Sequence, residues 1–160
     1  MASFTQGNRF GEYMKRIIVN EKWCLGCHLC EYNCAFANSA GSKKTPNDMV
    51  KALKDIVINP RIKIEEKGDI CFAVSCRHCK EPLCVKSCIA GALTKVDEII
   101  RIDKEKCVEC HTCVLVCPYG AIMPSNEGVM QKCELCVQNA DGQPFCVKGC
   151  PNKAIEYKEI

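Results

Sequence analysis

The sequence is poor in the side chains from which small proteins build a core. Its 160 residues hold one Trp, four Tyr and five Phe. A chain this short with so few large apolar groups makes a thin core, which needs cross-links or metal to hold it. No apolar run approaches 18 residues, so no membrane-spanning helix is expected. The stretch from Met1 to Met14 is polar and lacks an apolar h-region, so no secretory signal peptide is expected and a cytoplasmic location is. There is no glycine-rich dinucleotide fingerprint and no P-loop. No run of five Lys or Arg offers a nucleic acid its usual basic stretch.

What the chain has in excess is cysteine, seventeen residues of it. Disulfide frameworks belong to oxidising compartments, so in a cytoplasmic chain this load points to metal. Sixteen of the seventeen fall into four copies of one motif. The first is Cys24-x2-Cys27-x2-Cys30-x3-Cys34. The second is Cys76-x2-Cys79-x4-Cys84-x3-Cys88. The third is Cys107-x2-Cys110-x2-Cys113-x3-Cys117, followed by Pro118. The fourth is Cys133-x2-Cys136-x9-Cys146-x3-Cys150, followed by Pro151. Only the gap before the third cysteine varies, as when a loop is lengthened between fixed ends.

Cys-x2-Cys-x2-Cys places three thiolates on one tight loop, where they can take three corners of a cubane. In the bacterial run that ends Cys-x3-Cys-Pro, the fourth cysteine ligates the other cluster of a pair. Two copies therefore make two [4Fe–4S] clusters, and four copies make four. Zinc is the rival, but all-cysteine zinc sites use two well-separated Cys-x2-Cys pairs without the third and fourth cysteines found here. The clusters also change the charge. The formal net charge is +3 with neutral thiols. Each four-thiolate [4Fe–4S]2+ centre carries about −2, so four bring the holo-protein to roughly −5. Basic composition is thus no argument for nucleic acid. With sixteen ligands for sixteen iron corners no iron is left open, and no catalytic residues are expected.

Short apolar segments flank the copies. Ile17–Asn20 precedes the first and Ile99–Asp103 the third, while Ala90–Leu93, Tyr119–Ile122 and Asn152–Ile155 trail the second, third and fourth. They predict short strands around cluster-binding loops and short helices, an α+β pattern like that of a bacterial two-cluster ferredoxin present twice. Between the first two copies, Asn47 or Asp48 can cap a short helix running to about Lys54. Arg61–Glu65 and Ile70–Val74, joined by Glu66-Lys67-Gly68-Asp69, predict a hairpin packed on the second copy. Cys71 lies outside all four copies and is expected to be a structural thiol. His28, His78 and His111 sit among ligand cysteines as supporting residues. Trp23 is expected to cover a cluster, and Lys22, Arg77, Lys80 and Lys132 to form solvated faces.

The motif set resembles the four-cluster electron-transfer subunits of molybdopterin oxidoreductases, formate dehydrogenases, hydrogenases, tungsten aldehyde oxidoreductases and carbon monoxide dehydrogenases. The resemblance spans roughly Lys15 to Ile160. Locally it is closest to the small iron–sulfur protein of carbon monoxide dehydrogenase systems. It rests there on Cys24-Leu25-Gly26-Cys27-His28-Leu29-Cys30-Glu31, Cys76-Arg77-His78-Cys79, Cys84-Val85-Lys86-Ser87-Cys88 and Cys133-Glu134-Leu135-Cys136. The small subunit of aldehyde oxidoreductases is similar as well. The chain departs from the pattern where Ala35 and Ile89, not proline, follow Cys34 and Cys88. Proline there shapes a turn and ligates nothing.

The resemblance implies that the first copy pairs with the fourth and the second with the third. One cluster would take Cys24, Cys27, Cys30 and Cys150, and its neighbour Cys133, Cys136, Cys146 and Cys34. The inner pair would take Cys76, Cys79 and Cys84 with Cys117, and Cys107, Cys110 and Cys113 with Cys88. It implies two nested 2[4Fe–4S] ferredoxin-like units. The outer would be residues 15–37 plus 125–160 and the inner 76–124, with the hairpin insert at 38–75 and an extension at 1–14 outside the pattern. It implies electron transfer from a catalytic subunit, a carbon monoxide dehydrogenase or a tungsten or molybdenum enzyme. The downstream acceptor would be a ferredoxin, a flavin-dependent NAD(P) reductase or a hydrogenase.

Overall fold

Every motif copy is built on the same local plan. In the computed structural model, which describes residues 15–38, 59–138 and 142–160, the third cysteine of each copy is the second residue of a helix. These helices are α1 (Leu29–Asn38), α2 (Leu83–Lys86), α3 (Thr112–Val116) and α4 (Phe145–Lys148), and they carry Cys30, Cys84, Cys113 and Cys146. Pro82 and Pro144 stand immediately before α2 and α4, in the two copies with lengthened gaps. Proline suits that place because its fixed φ leads into a helix and its missing N–H would go unused there. The helix expected near residues 47–54 lies outside the described residues, as does the extension at 1–14.

Among the described residues, eight strands form four two-stranded antiparallel ribbons. They are β1 (Lys15–Val19), β2 (Ile62–Lys67), β3 (Ile70–Ser75), β4 (Leu93–Val96), β5 (Ile99–Ile102), β6 (Ile122–Pro124), β7 (Met130–Lys132) and β8 (Ile155–Glu159). One rule orders them: the strand that trails a copy pairs with the strand that leads into the next. Thus β4 pairs with β5, β6 with β7, and β2 with β3. The series closes on itself, since β8 after the fourth copy pairs with β1 before the first, in the register Lys15↔Glu159 to Val19↔Ile155. Lys15 and Glu159 are thereby brought together beside the first and fourth copies.

The core is divided in two. Ile17 and Ile155 from the β1–β8 ribbon pack with Ile62, Ile64 and Ala73, with Leu135, and with Cys30, Cys34, Cys133 and Cys146. A second group joins Leu93, Ile100, Ile122 and Met130 to Cys113. Cysteines are thus part of the buried interior. Helices α1 and α4 meet so closely that a Cβ on Gly149 would overlap the amide of Asn33. The β2–β3 hairpin forms as the sequence predicts, with Gly68 at φ +59 in its turn. Its inward face of Ile62, Ile64 and Ala73 packs with Cys30, Cys34, Cys133 and Cys146 of the first and fourth copies, and Cys76 of the second borders the same group, so it reaches beyond the second copy. Alternation along the hairpin marks one face as buried but not what covers it.

Candidate metal centres

The loops are shaped before any ligand is considered. The second residue after the first cysteine lies in the left-handed region in every copy: Gly26 at φ +63, His78 at +47, Glu109 at +53 and Leu135 at +58. Backbone that alternates into this region turns successive N–H groups toward one point, a concavity that holds anions such as cluster sulfur. Behind the last cysteine, Gly91, Gly120 and Lys153 are left-handed as well. That bend aims the amide of Ala92 at the sulfur of Cys88 (3.3 Å) and the amide of Ala154 at the sulfur of Cys150 (3.2 Å).

The first copy departs from this plan. With Ala35 and Ala37 after Cys34 and no proline, α1 runs on to Asn38, so Ala37, three residues beyond Cys34, is helical and not left-handed. The Cys34 sulfur accepts instead from the amide of Arg61 at 3.2 Å, at the foot of the hairpin. The amide of Met130 approaches Cys107 at 3.5 Å, and that of Leu135 approaches Cys133 at 3.4 Å.

The tertiary structure gathers twelve of the thiols around three hollows. Cys24, Cys27 and Cys30 line a hollow with Cys150, flanked by Trp23 and Leu25. Cys107, Cys110 and Cys113 line another with Cys88. Cys76, Cys79 and Cys84 line a third with Cys117. Cys34, Cys133 and Cys146 are buried together, and Cys136 adjoins them. Cys27 and Cys110 are the exposed cysteines.

Crowding and burial make the buried thiols Cys30, Cys34, Cys113, Cys133 and Cys146 poor acids without a metal. Burial, then Glu31, pushes Cys30 up to about 12. Burial with the neighbouring Cys34 pushes Cys133 up to about 12, and burial pushes Cys34 and Cys113 up to about 11. Cys146 is raised too, by burial and by the adjacent Cys133, Cys34 and Cys136. Ionising such a set requires the positive charge of bound iron, so binding releases protons.

The fit to an iron–sulfur cluster rests on three features. Among the described residues no three His, Cys, Asp or Glu side chains converge to hold a single metal ion. Zinc at about 2.3 Å from each sulfur needs such convergence, whereas a cubane keeps its ligands apart. Backbone amides already point at sulfur. Finally, His78 is 1% exposed and its Nδ1 accepts from the amide of Ile100 at 3.0 Å, yet its Nε2 has no partner. A buried N–H of this kind calls for an acceptor, and cluster sulfur beside Cys76 and Cys79 would be one. Burial and the cations Lys132, Arg16 and Lys95 depress the His78 pKa to about 3, so the ring is neutral.

Two buried cations take places that sequence reasoning missed. Lys132, expected on a solvated face, is 1% exposed; its Nζ donates to the carbonyls of Ile100 and, at 2.8 Å, Cys133. Arg16 is buried and donates to the His78 carbonyl at 3.1 Å. His28 lies 2.8 Å from Glu31 and 3.5 Å from Glu66, and the bond to Glu31 raises its pKa. Cys71, the seventeenth cysteine, borders the Gly26 turn. Trp23 flanks the first set while staying half exposed.

The cysteine loops and paired ribbons define a ferredoxin-like iron–sulfur protein, and comparison with known families agrees. The chain belongs to the 4Fe–4S dicluster domain family, whose profile matches residues 69–160. It is 33% identical over 160 residues to the "Iron-sulfur protein" of Rhodospirillum rubrum, covering 90% of this chain and 82% of that one. It is 28% identical over 155 residues to "Electron transport protein HydN" of Escherichia coli (strain K12), covering 87% and 85%. AegA of the same strain, named as an oxidoreductase, is 34% identical over 148 residues; the match covers 88% of this chain but only 21% of AegA. Among the described residues no helix is long and apolar enough to cross a membrane.

Proposed function

We propose that this chain is a one-electron relay holding four [4Fe–4S] clusters and carrying no catalytic site of its own. The ligand sets are Cys24, Cys27, Cys30 and Cys150; Cys133, Cys136, Cys146 and Cys34; Cys76, Cys79, Cys84 and Cys117; and Cys107, Cys110, Cys113 and Cys88. The observation that carries this reading is the crossed grouping: each hollow has three cysteines from one copy and the last from another. A bound cluster of this kind supplies reversible one-electron chemistry. The residues of the chain hold the thiolates, aim amides at sulfur and keep water from the buried sets.

The sets follow one another in a line in this reading. Cys30 adjoins Cys146, which links the first set to the second. Lys132 neighbours both Cys133 and Cys84, which links the second to the third. Cys84, Cys88, Cys113 and Cys117 share one core group, which links the third to the fourth. Exposed Cys27 and Cys110 belong to opposite ends of that line. The nested units follow, with 15–37 and 125–160 outside, 76–124 inside and 38–75 as the insert.

The catalytic partner in this proposal is a carbon monoxide dehydrogenase, and the acceptor is a ferredoxin, a flavin-dependent NAD(P) reductase or a hydrogenase, all in the cytoplasm. The motif likeness of the first, second and fourth copies supports that choice, and the name of the HydN relative supports electron transport. An anaerobic affinity pull-down from the native host tests it. Recovery of a nickel–iron carbon monoxide dehydrogenase bears the partner out. Recovery of a tungsten or molybdenum oxidoreductase replaces it and leaves the relay standing.

A further inference from the structure

A buried lysine stands where the outer and inner cysteine sets meet. Lys132 ends β7, directly before Cys133, and is 1% exposed. Its ammonium donates to two carbonyls, those of Ile100 and Cys133. Among the described residues no ion pair joins it to a carboxylate, although nine other pairs form elsewhere. A buried charge without a counter-charge is strongly penalised. Its two carbonyl partners belong to two different sets: Cys133 is part of one, and Ile100 lines the hollow of Cys76, Cys79, Cys84 and Cys117.

Hydrogen bonds tie the same two sets together. The Ile100 peptide is clamped from both sides: its N–H donates to His78 Nδ1 and its carbonyl accepts from Lys132. His78 lies between Cys76 and Cys79, and Lys132 adjoins Cys133. The run His78–Ile100–Lys132 therefore bridges the loop of one set and the loop of the next through β5. The carbonyl of His78 is held by Arg16, a second buried cation, at 3.1 Å.

We propose that Lys132 is a positioning residue that supplies the fixed counter-charge shared by two adjacent clusters, the one on Cys133, Cys136, Cys146 and Cys34 and the one on Cys76, Cys79, Cys84 and Cys117. The proposal rests on the ligand sets given above. Its effect is electrostatic: no bond forms or breaks. A cation next to two anionic centres favours their reduced states, and it offsets the repulsion between them when both hold an electron. Buried charge acts more strongly than the solvated lysines around it, because the interior screens it less.

The test is a redox titration with dithionite, followed by electron paramagnetic resonance, on the anaerobically purified holo-protein and on Lys132→Gln, Lys132→Met and Lys132→Arg. Iron is counted in each sample. In Lys132→Gln, which can still donate to a carbonyl but carries no charge, two of the four midpoint potentials move to more negative values and two stay. Lys132→Met does the same, and Lys132→Arg stays near the parent. Unchanged potentials in fully loaded Lys132→Gln overturn the proposal. Equal shifts in Lys132→Gln and Lys132→Arg, or failure of all three variants to load, also overturn it in favour of a purely structural lysine. Fewer than four clusters in the parent protein would instead overturn the ligand sets, an outcome the iron count separates from the others.

Discussion

The backbone amide of Arg61 donates to the sulfur of Cys34 at 3.2 Å, across 27 residues of sequence. In the second and fourth copies the equivalent bond is local, from the amide four residues beyond the last cysteine. The insert between the first two copies thus completes the first copy, whose helix runs past the point where the others turn. Hydrogen bonds to cluster sulfur raise its reduction potential. Arg61→Pro removes this donor and is expected to lower one midpoint potential while leaving the other three in place, at a stability cost of about 1 kcal/mol. Arg61→Lys keeps both the amide and the positive charge near Cys34, so it should leave that potential near its original value. Redox titration of the two variants side by side checks this.

Gly26 has no room for a side chain. It sits at φ +63, and a Cβ there would lie 2.9 Å from the sulfur of Cys71. Gly26→Ala should therefore carry two penalties, roughly 1–2 kcal/mol for the left-handed backbone plus the overlap with sulfur. Adding Cys71→Ala removes the overlap and should recover part of the lost thermal stability. Cys71→Ala alone should leave the iron content unchanged, because the seventeenth thiol ligates nothing. Thermal melts with iron analysis of the three proteins measure each part.

Much of this was legible before the structure. The spacing of the sixteen cysteines marked the loops, and the turn at Gly68 marked the hairpin. Ile17–Asn20 and Ile99–Asp103 marked β1 and β5, but Ala90–Leu93, Tyr119–Ile122 and Asn152–Ile155 meet β4, β6 and β8 only at their last residues, the rest forming the bends behind the cysteine loops. Three features were not legible. The three-residue β6–β7 ribbon is too short to leave an alternation. The helical run after Cys34 reads as an ordinary missing proline, and its consequence appears only when Arg61 arrives from elsewhere in the chain. Lys132 reads as surface because lysine nearly always is; its burial depends on the carbonyls of Ile100 and Cys133, a contact between β5 and β7 that no local pattern encodes.

The crossed grouping makes a prediction about which thiols are freed together. Cys117→Ala should release Cys76, Cys79 and Cys84 to an alkylating reagent while Cys107, Cys110 and Cys113 stay protected, although Cys117 follows the latter three in sequence. Cys88→Ala should do the reverse. Alkylation under anaerobic conditions, read residue by residue by mass spectrometry, decides this; release of the neighbours in sequence would mean that each copy binds its own cluster.

Removing the clusters should unfold the chain. Four cysteines stand among the ten residues of the larger core group, and every ribbon has only two strands. Without iron those thiols leave the core unanchored, since cluster binding supplies the energy that a thin core does not. Far-ultraviolet circular dichroism after chelation under mild oxidation should show most ordered structure lost. A native-like spectrum from fully iron-free protein would contradict this.

The central claim is that sixteen cysteines hold four clusters, and the most direct test is iron and acid-labile sulfide analysis with Mössbauer spectroscopy on anaerobically purified protein. The account predicts about sixteen irons and sixteen sulfides per chain, all in [4Fe–4S]2+ centres before reduction. About eight irons, or zinc in place of iron, in an intact and anaerobically handled sample would contradict it.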